Sequence, residues 1–245
     1  VFWPSHLLLE ICQSAWLAVG ALPVFWIARR HGASPWSASL LAVAYLLYAP
    51  LQYLDIAITY KTFRPNSFEI PFLLFGLDAL ERGRLKTLVG WLFLALLCQE
   101  DAATVIAPLG VWIALRQADV SGVTESGNRR RLRWFGASLA GFGVIYVVLV
   151  IKVILPWFRG GADVHFAQYF VDFGGESGTI LRTLVQNPGL VMAKLCGPSS
   201  WLFAMSLLLP LGCLPLFSPG RLLVAAPLFG VLCLSSLTAN SLHHF

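Results

Sequence analysis

Long apolar runs, cut by short charged or proline-containing breaks, dominate the pattern of this chain. A membrane-spanning helix needs about 20 apolar residues. Apolar runs of 13 to 22 residues cover 7–28, 36–54, 68–80, 85–98, 102–115, 134–155, 201–217 and 222–239, of which 68–80 is the shortest. The pattern predicts an all-α polytopic transmembrane bundle of about eight helices, a single helical domain over residues 1–245. Two longer connections interrupt it. Residues 116–133 are rich in Gly, Ser and Arg, and residues 156–200 are amphipathic and mixed. Within the second, 178–196 predicts an interfacial helix broken at Pro188.

Composition supports a lipid environment. The chain is 58% hydrophobic and 12% charged, whereas soluble domains carry about 25% charged residues. So little charge cannot make a polar skin, and the nine Trp, six Tyr and 17 Phe suit a bilayer protein with interfacial aromatics. No basic segment with a cleavage site follows Val1, so no signal peptide is read. The chain reads as an internal fragment of a larger polytopic protein, lacking its N- and C-terminal parts. Its five cysteines form no CxxC pair and are expected to be small buried hydrophobes.

Charge places the runs relative to the membrane. If the chain reverses at each run, one face receives Arg29, Arg30, Arg82, Arg84, Lys86, Arg116, Arg129, Arg130, Arg131, Arg133 and Arg221. That face is cytoplasmic by the positive-inside rule, and 116–133 is then a cytoplasmic Arg-rich loop. Residues 156–200 are extracytoplasmic. A single helix over 85–115 would be about 45 Å long against a hydrocarbon core of about 30 Å. It would also carry Arg129–Arg131 to the wrong side. Both arguments predict a break near Gln99-Glu100-Asp101, close to the outer boundary.

The acids at that break are the foremost candidates for chemistry, because ionisable groups between apolar runs are costly and usually functional. Neighbouring residues on a helix diverge by about 100°, so Glu100 and Asp101 are not expected to act as one close dyad. Asp101 suits an N-cap of the next helix. Glu100 suits a general base, metal ligand or partner of a cation. A second candidate is the outer turn from Lys61 through Arg64 and Pro65 to Glu69 and Pro71. Arg64 and Lys61 suit an anionic headgroup, and Asn66 or Ser67 suits a helix cap with Glu69 near the positive end. His243 and His244 are candidates for substrate binding or proton transfer; Asp163 with His165 fits an exposed loop. No nucleotide, zinc-protease or serine-hydrolase motif occurs, and no nucleic-acid groove pattern is present. No cofactor is visible; a divalent metal is compatible with the acids. Oligomeric state is not legible.

Several stretches together resemble a prokaryotic family of predicted membrane proteins, domain of unknown function number two thousand and seventy-nine. They are Gly20 to Arg30, Ala44 to Pro50, Phe63-Arg64-Pro65 with Phe68 to Pro71, Leu77 to Arg84, and Leu96 to Ala103. The resemblance covers most of the first 155 residues. Two positions depart from the family pattern: Arg64 stands where the turn usually carries His, and Gln99 where the core usually carries Lys. The resemblance implies a fold similar to the glycosyltransferase-C superfamily, in the cytoplasmic (plasma) membrane of a prokaryote. Such enzymes take sugars from polyprenyl-phosphate donors on the outer face. Their usual catalytic acid lies in an outer loop expected upstream of this sequence. The implied function is transfer of a lipid-linked sugar, with membrane lipid and polyprenyl-phosphate sugar as partners. The alternatives are a transporter or flippase using intramembrane carboxylates, and a non-catalytic membrane scaffold.

Overall fold

A computed structural model describes residues 6–60, 66–115, 126–158, 165–174 and 177–236. Among these residues all regular structure is helical. The helices are α1 (His6–Val19), α2 (Ala21–Arg30), α3 (Pro35–Leu46), α4 (Ala49–Tyr60), α5 (Asn66–Glu81), α6 (Leu85–Cys98) and α7 (Ala103–Leu115). They continue as α8 (Ser126–Leu149), α9 (Leu155–Phe158), α10 (Ser177–Gln186), α11 (Pro188–Leu195), α12 (Pro198–Leu208) and α13 (Pro219–Leu234).

Among the described residues, two helices are long and apolar enough to cross a membrane, Leu8–Arg30 and Arg129–Phe158. The number rises to 4 if two bent pairs, Pro35–Leu46 with Ala49–Asp55 and Pro188–Leu195 with Pro198–Leu211, each count as one span. The bends are 47° and 43°. Pro50 accounts for the first: it lacks an N–H, and its ring collides with the carbonyl four residues back. Pro198 opens α12 and accounts for the second in the same way. Fewer single helices reach spanning length than the eight apolar runs predict; α6 and α13 are apolar but have only 14 and 16 residues. Two boundaries also shift. Helix α8 starts at Ser126, so Arg129–Arg133 lie on its first turns and not in a loop. The stretch expected as an extracytoplasmic connection already contains α10 and α11, which break at Asn187 just before Pro188.

Contacts divide the chain into two compact units. The first holds residues 1–102 and 113–136. Its core is the α5–α6 pair. Leu88, Leu92, Ala95 and Leu96 form a buried stripe on α6, spaced to stay on one helical face. Gly76 of α5 faces that stripe: a Cβ there would sit in ordinary contact, 3.5–3.7 Å, with Leu88, Leu92 and Trp91. Aromatic rings tie in the first helices. Trp16 packs on Phe72 at 5.0 Å and stacks with Phe68 at 6.5 Å, while Phe75 stacks on Trp91 at 5.0 Å. The Trp16 indole N–H donates to the Phe68 carbonyl at 3.2 Å. Between α1 and α2 the chain turns at Gly20, where a Cβ would run into the Tyr45 hydroxyl. That hydroxyl donates to the Leu17 carbonyl at 3.0 Å, which compensates the carbonyl at the break.

An ion network locks α2 to the end of α5. Arg30 grips Asp78 at 2.5 Å and Glu81 at 2.9 Å, and Arg82 meets the other Asp78 oxygen at 2.8 Å. His31 lies 3.1 Å from Glu81, and the Arg82 guanidinium sits 5.4 Å over the Trp26 ring. The positive-inside rule reads Arg30 and Arg82 only as topology signal; the structure gives both carboxylate partners. Asp78 has a side-chain exposure of only 9%, so its charge depends on those arginines.

The second unit holds residues 103–112 and 137–245. Helices α7 and α8 meet backbone to backbone where Gly143 faces Ala107; a Cβ at Gly143 would lie 2.8–2.9 Å from Ala107. Small residues at such crossings let membrane helices approach closely. Phe203 of α12 stacks on Phe229 of α13 at 5.6 Å, and Lys194 pairs with Asp172 at 2.5 Å. All cysteines among the described residues are free, and only Cys233 is buried.

Removing one partner of a poorly solvated ion pair strands the other charge, which costs about 3–5 kcal/mol when fully buried. Because the arginines keep some solvent, Asp78→Ala is expected to cost about 2–3 kcal/mol. Thermal unfolding in detergent should show the loss, and Asp78→Asn, which keeps an acceptor for Arg30 and Arg82, should lose less than Asp78→Ala.

Candidate functional site

The carboxylate-bearing turn is built by the end of α6. That helix stops at Cys98, and Gln99 takes an extended conformation with φ −155° and ψ 145°. A single 3₁₀ turn, Glu100–Ala102, follows before α7 begins at Ala103. The chain therefore breaks at the position expected from the length argument.

The two acids of the turn occupy different surroundings. Glu100 is exposed, whereas Asp101 is partly buried. Amides of Asp101 itself and Ala102 hydrogen-bond the Asp101 carboxylate, which is close to the capping role its position suggests. Helix α5 supplies a second carboxylate. It begins at Asn66 and places Glu69 in its first turn, where the helix dipole favours negative charge. The Glu69 and Asp101 carboxylates are close enough to repel each other, and Glu69 also acts on the Cys98 thiol. Two acids distant in sequence are thus near enough to interact electrostatically, while the adjacent pair Glu100 and Asp101 is divided between solvent and interior. Burial pushes the Asp101 carboxyl up to about 6; the Glu100 charge adds to this, and the two backbone amides pull partly against it.

Further polar groups line the same helices. Ser67, fully buried, has a hydroxyl with no hydrogen-bond partner among the described residues. Gln13 of α1 is also fully buried; its amide donates to the Leu54 carbonyl at 3.3 Å, and its own carbonyl oxygen accepts nothing among the described residues. One residue on, the Ser14 hydroxyl donates to Asp55 at 2.7 Å. Sequence reasoning passed over Gln13 and Ser14. A Gln-Ser pair inside the otherwise apolar run 7–28 was the available signal.

Lys61, Arg64, His243 and His244 lie outside the described residues, as does Asp163. Among the described residues, no group of three or more His, Cys, Asp or Glu is arranged to hold a metal.

Helices this apolar, with lipid-length spans and carboxylates gathered at a helix break, define a polytopic helical membrane protein. The chain belongs to the predicted membrane protein family DUF2079, whose model matches residues 1–244. No curated protein and no solved structure matches it.

The raised Asp101 pKa has a stability consequence. A folded-state value near 6 against an ordinary 3.8 means that the protonated carboxyl favours the fold. The contribution is complete below about pH 4 and disappears as pH rises through about 6. Asp101→Asn keeps an acceptor for the two amides and removes the charge. Between pH 4 and pH 8 the wild-type unfolding temperature in detergent should fall relative to that of the variant, by the equivalent of about 2 kcal/mol. Parallel curves would remove the buried carboxylate from the account.

Proposed function

We propose that the protein is a membrane transferase, similar to the glycosyltransferase-C superfamily, that moves a sugar from a polyprenyl-phosphate donor at the outer face of a prokaryotic plasma membrane. The meeting of Glu69 and Asp101 beside the break after α6 carries this reading. Two carboxylates held close do not ionise with equal ease. One is suited to take a proton from an acceptor hydroxyl and the other to orient that hydroxyl. The hydroxyl oxygen attacks the anomeric carbon, the bond from that carbon to the donor phosphate breaks, and polyprenyl phosphate leaves with the bonding pair. Glu100, exposed on the same turn, is the proposed contact to the sugar or to a divalent metal. Lys61 and Arg64 are the proposed contacts to the donor phosphate, and His243 and His244 further substrate contacts. This assignment rests on resemblance for the reaction and on the two carboxylates for the site.

A second reading is favoured by the same pair. Carboxylates beside an interrupted helix are the usual proton sites of secondary transporters. A proton-coupled carrier would use Glu69 and Asp101 without any sugar transfer.

Radiolabelled polyprenyl-phosphate sugars, offered to membranes containing the protein, separate the two. The transferase reading expects label to move to acceptor, with Asp101→Asn lowering the rate about 100-fold or more and donor binding changing only a few-fold. Proton-driven uptake in sealed vesicles, lost in Glu69→Gln and accompanied by no transfer, supports the carrier. Neither activity with any donor or solute would leave the carboxylates without a chemical role.

A further inference from the structure

Lys152 is the only charged residue between Arg133 and Arg159. It lies on the long helix Arg129–Phe158, whose window of highest hydropathy is only 11% buried. The side chain is exposed, and no hydrogen bond or carboxylate partner reaches it among the described residues. An ammonium in this position cannot be left in hydrocarbon, so its depth decides what meets it.

Helix geometry fixes that depth. From Arg133 to Lys152 the helix advances about 28 Å at 1.5 Å per residue, close to a hydrocarbon thickness of about 30 Å. Trp134 and Trp157, 64% and 78% exposed, mark the two interfacial belts. Lys152 lies about 7–8 Å inside the Trp157 belt along the axis, and its four-carbon stem carries the charge outward to the headgroup level. Around it the helix is rewound into a π turn, Val150–Ile154. Pro156 accounts for this turn, since its ring excludes the normal carbonyl of Lys152, four residues back. The turn itself is therefore no sign of a ligand. Depth, exposure and the lack of a carboxylate partner among the described residues are.

We infer that Lys152 is a binding site for the phosphate of an anionic lipid in the leaflet at the Trp157 end of this helix. The exposed rings of Trp157 and Phe158, centroids 5.1 Å apart, flank the lipid at headgroup depth. The inference is independent of the transferase reading and holds for a carrier or a scaffold. The phosphate belongs either to a bilayer phospholipid or to a polyprenyl monophosphate; both offer the same anionic oxygens.

The test uses the full chain in nanodiscs of phosphatidylcholine with added phosphatidylglycerol, released for native mass spectrometry. Wild type is expected to retain phosphatidylglycerol over phosphatidylcholine by about fivefold, the effect of one basic residue near an anionic surface. Lys152→Gln and Lys152→Met should bring the ratio near one, and Lys152→Arg should keep it. Displacement of phosphatidylglycerol by substoichiometric decaprenyl monophosphate, dependent on Lys152, identifies the isoprenoid as the source. Displacement only in proportion to its amount identifies the bulk phospholipid. Size exclusion reports which variants remain folded. A wild-type preference retained by either neutral variant, or no preference in the wild type, overturns the inference.

Discussion

An ionised group in hydrocarbon has no water to stabilise it, and that constraint governs where this chain can place its few charges. Three solutions occur. At the junction of α2 and α5, Arg30 and Arg82 converge on Asp78, and Arg30 also holds Glu81, so the charges neutralise one another. At Lys152 we infer that a flexible stem carries the charge to the interface. At Glu100–Ala102 the helix itself stops, and its acids gather where backbone amides and an adjacent helix start can receive them. The apolar remainder then packs by shape, through Gly76 against α6 and Gly143 against Ala107.

These devices are connected through α5. Its C-terminal end is anchored by the arginines, and its N-terminal turn carries Glu69. Helix α5 has 16 residues, so the two ends are about 20 Å apart. Anchoring one end therefore sets the axial position of the other. The α5–α6 packing and the Trp16, Phe72, Phe75 and Trp91 rings stiffen the same rod. The meeting of Glu69 with Asp101 is thus supported from well outside the site.

Much of this was legible in the sequence where the signal is local. The bounds of α6 and the stop before Glu100 follow from run length and charge; Ser67, offered as a cap of α5, instead lies inside that helix with its hydroxyl unbonded among the described residues. The break before Pro188 follows from proline chemistry. What was not legible is long-range. Arg30 and Asp78 are 48 residues apart, so a positive-inside reading sees the arginine and not its partner. The division of Glu100 from Asp101 depends on which side of one turn meets α5, a tertiary fact with no period in the sequence. Among the described residues, α5, α6 and α7 have only 16, 14 and 13 residues, and Pro50 and Pro198 bend two further apolar stretches, so the eight apolar runs do not translate one for one into helices of spanning length. Family membership agrees with the membrane reading, while the sugar-transfer chemistry stands on resemblance.

We place the helix break at Glu100–Ala102 on the outer side of the membrane. Glu100→Cys, in a background with the five native cysteines replaced, tests that placement most directly by reaction with a membrane-impermeant maleimide. The account predicts labelling in intact cells without permeabilisation. Labelling only from inside-out vesicles would contradict it.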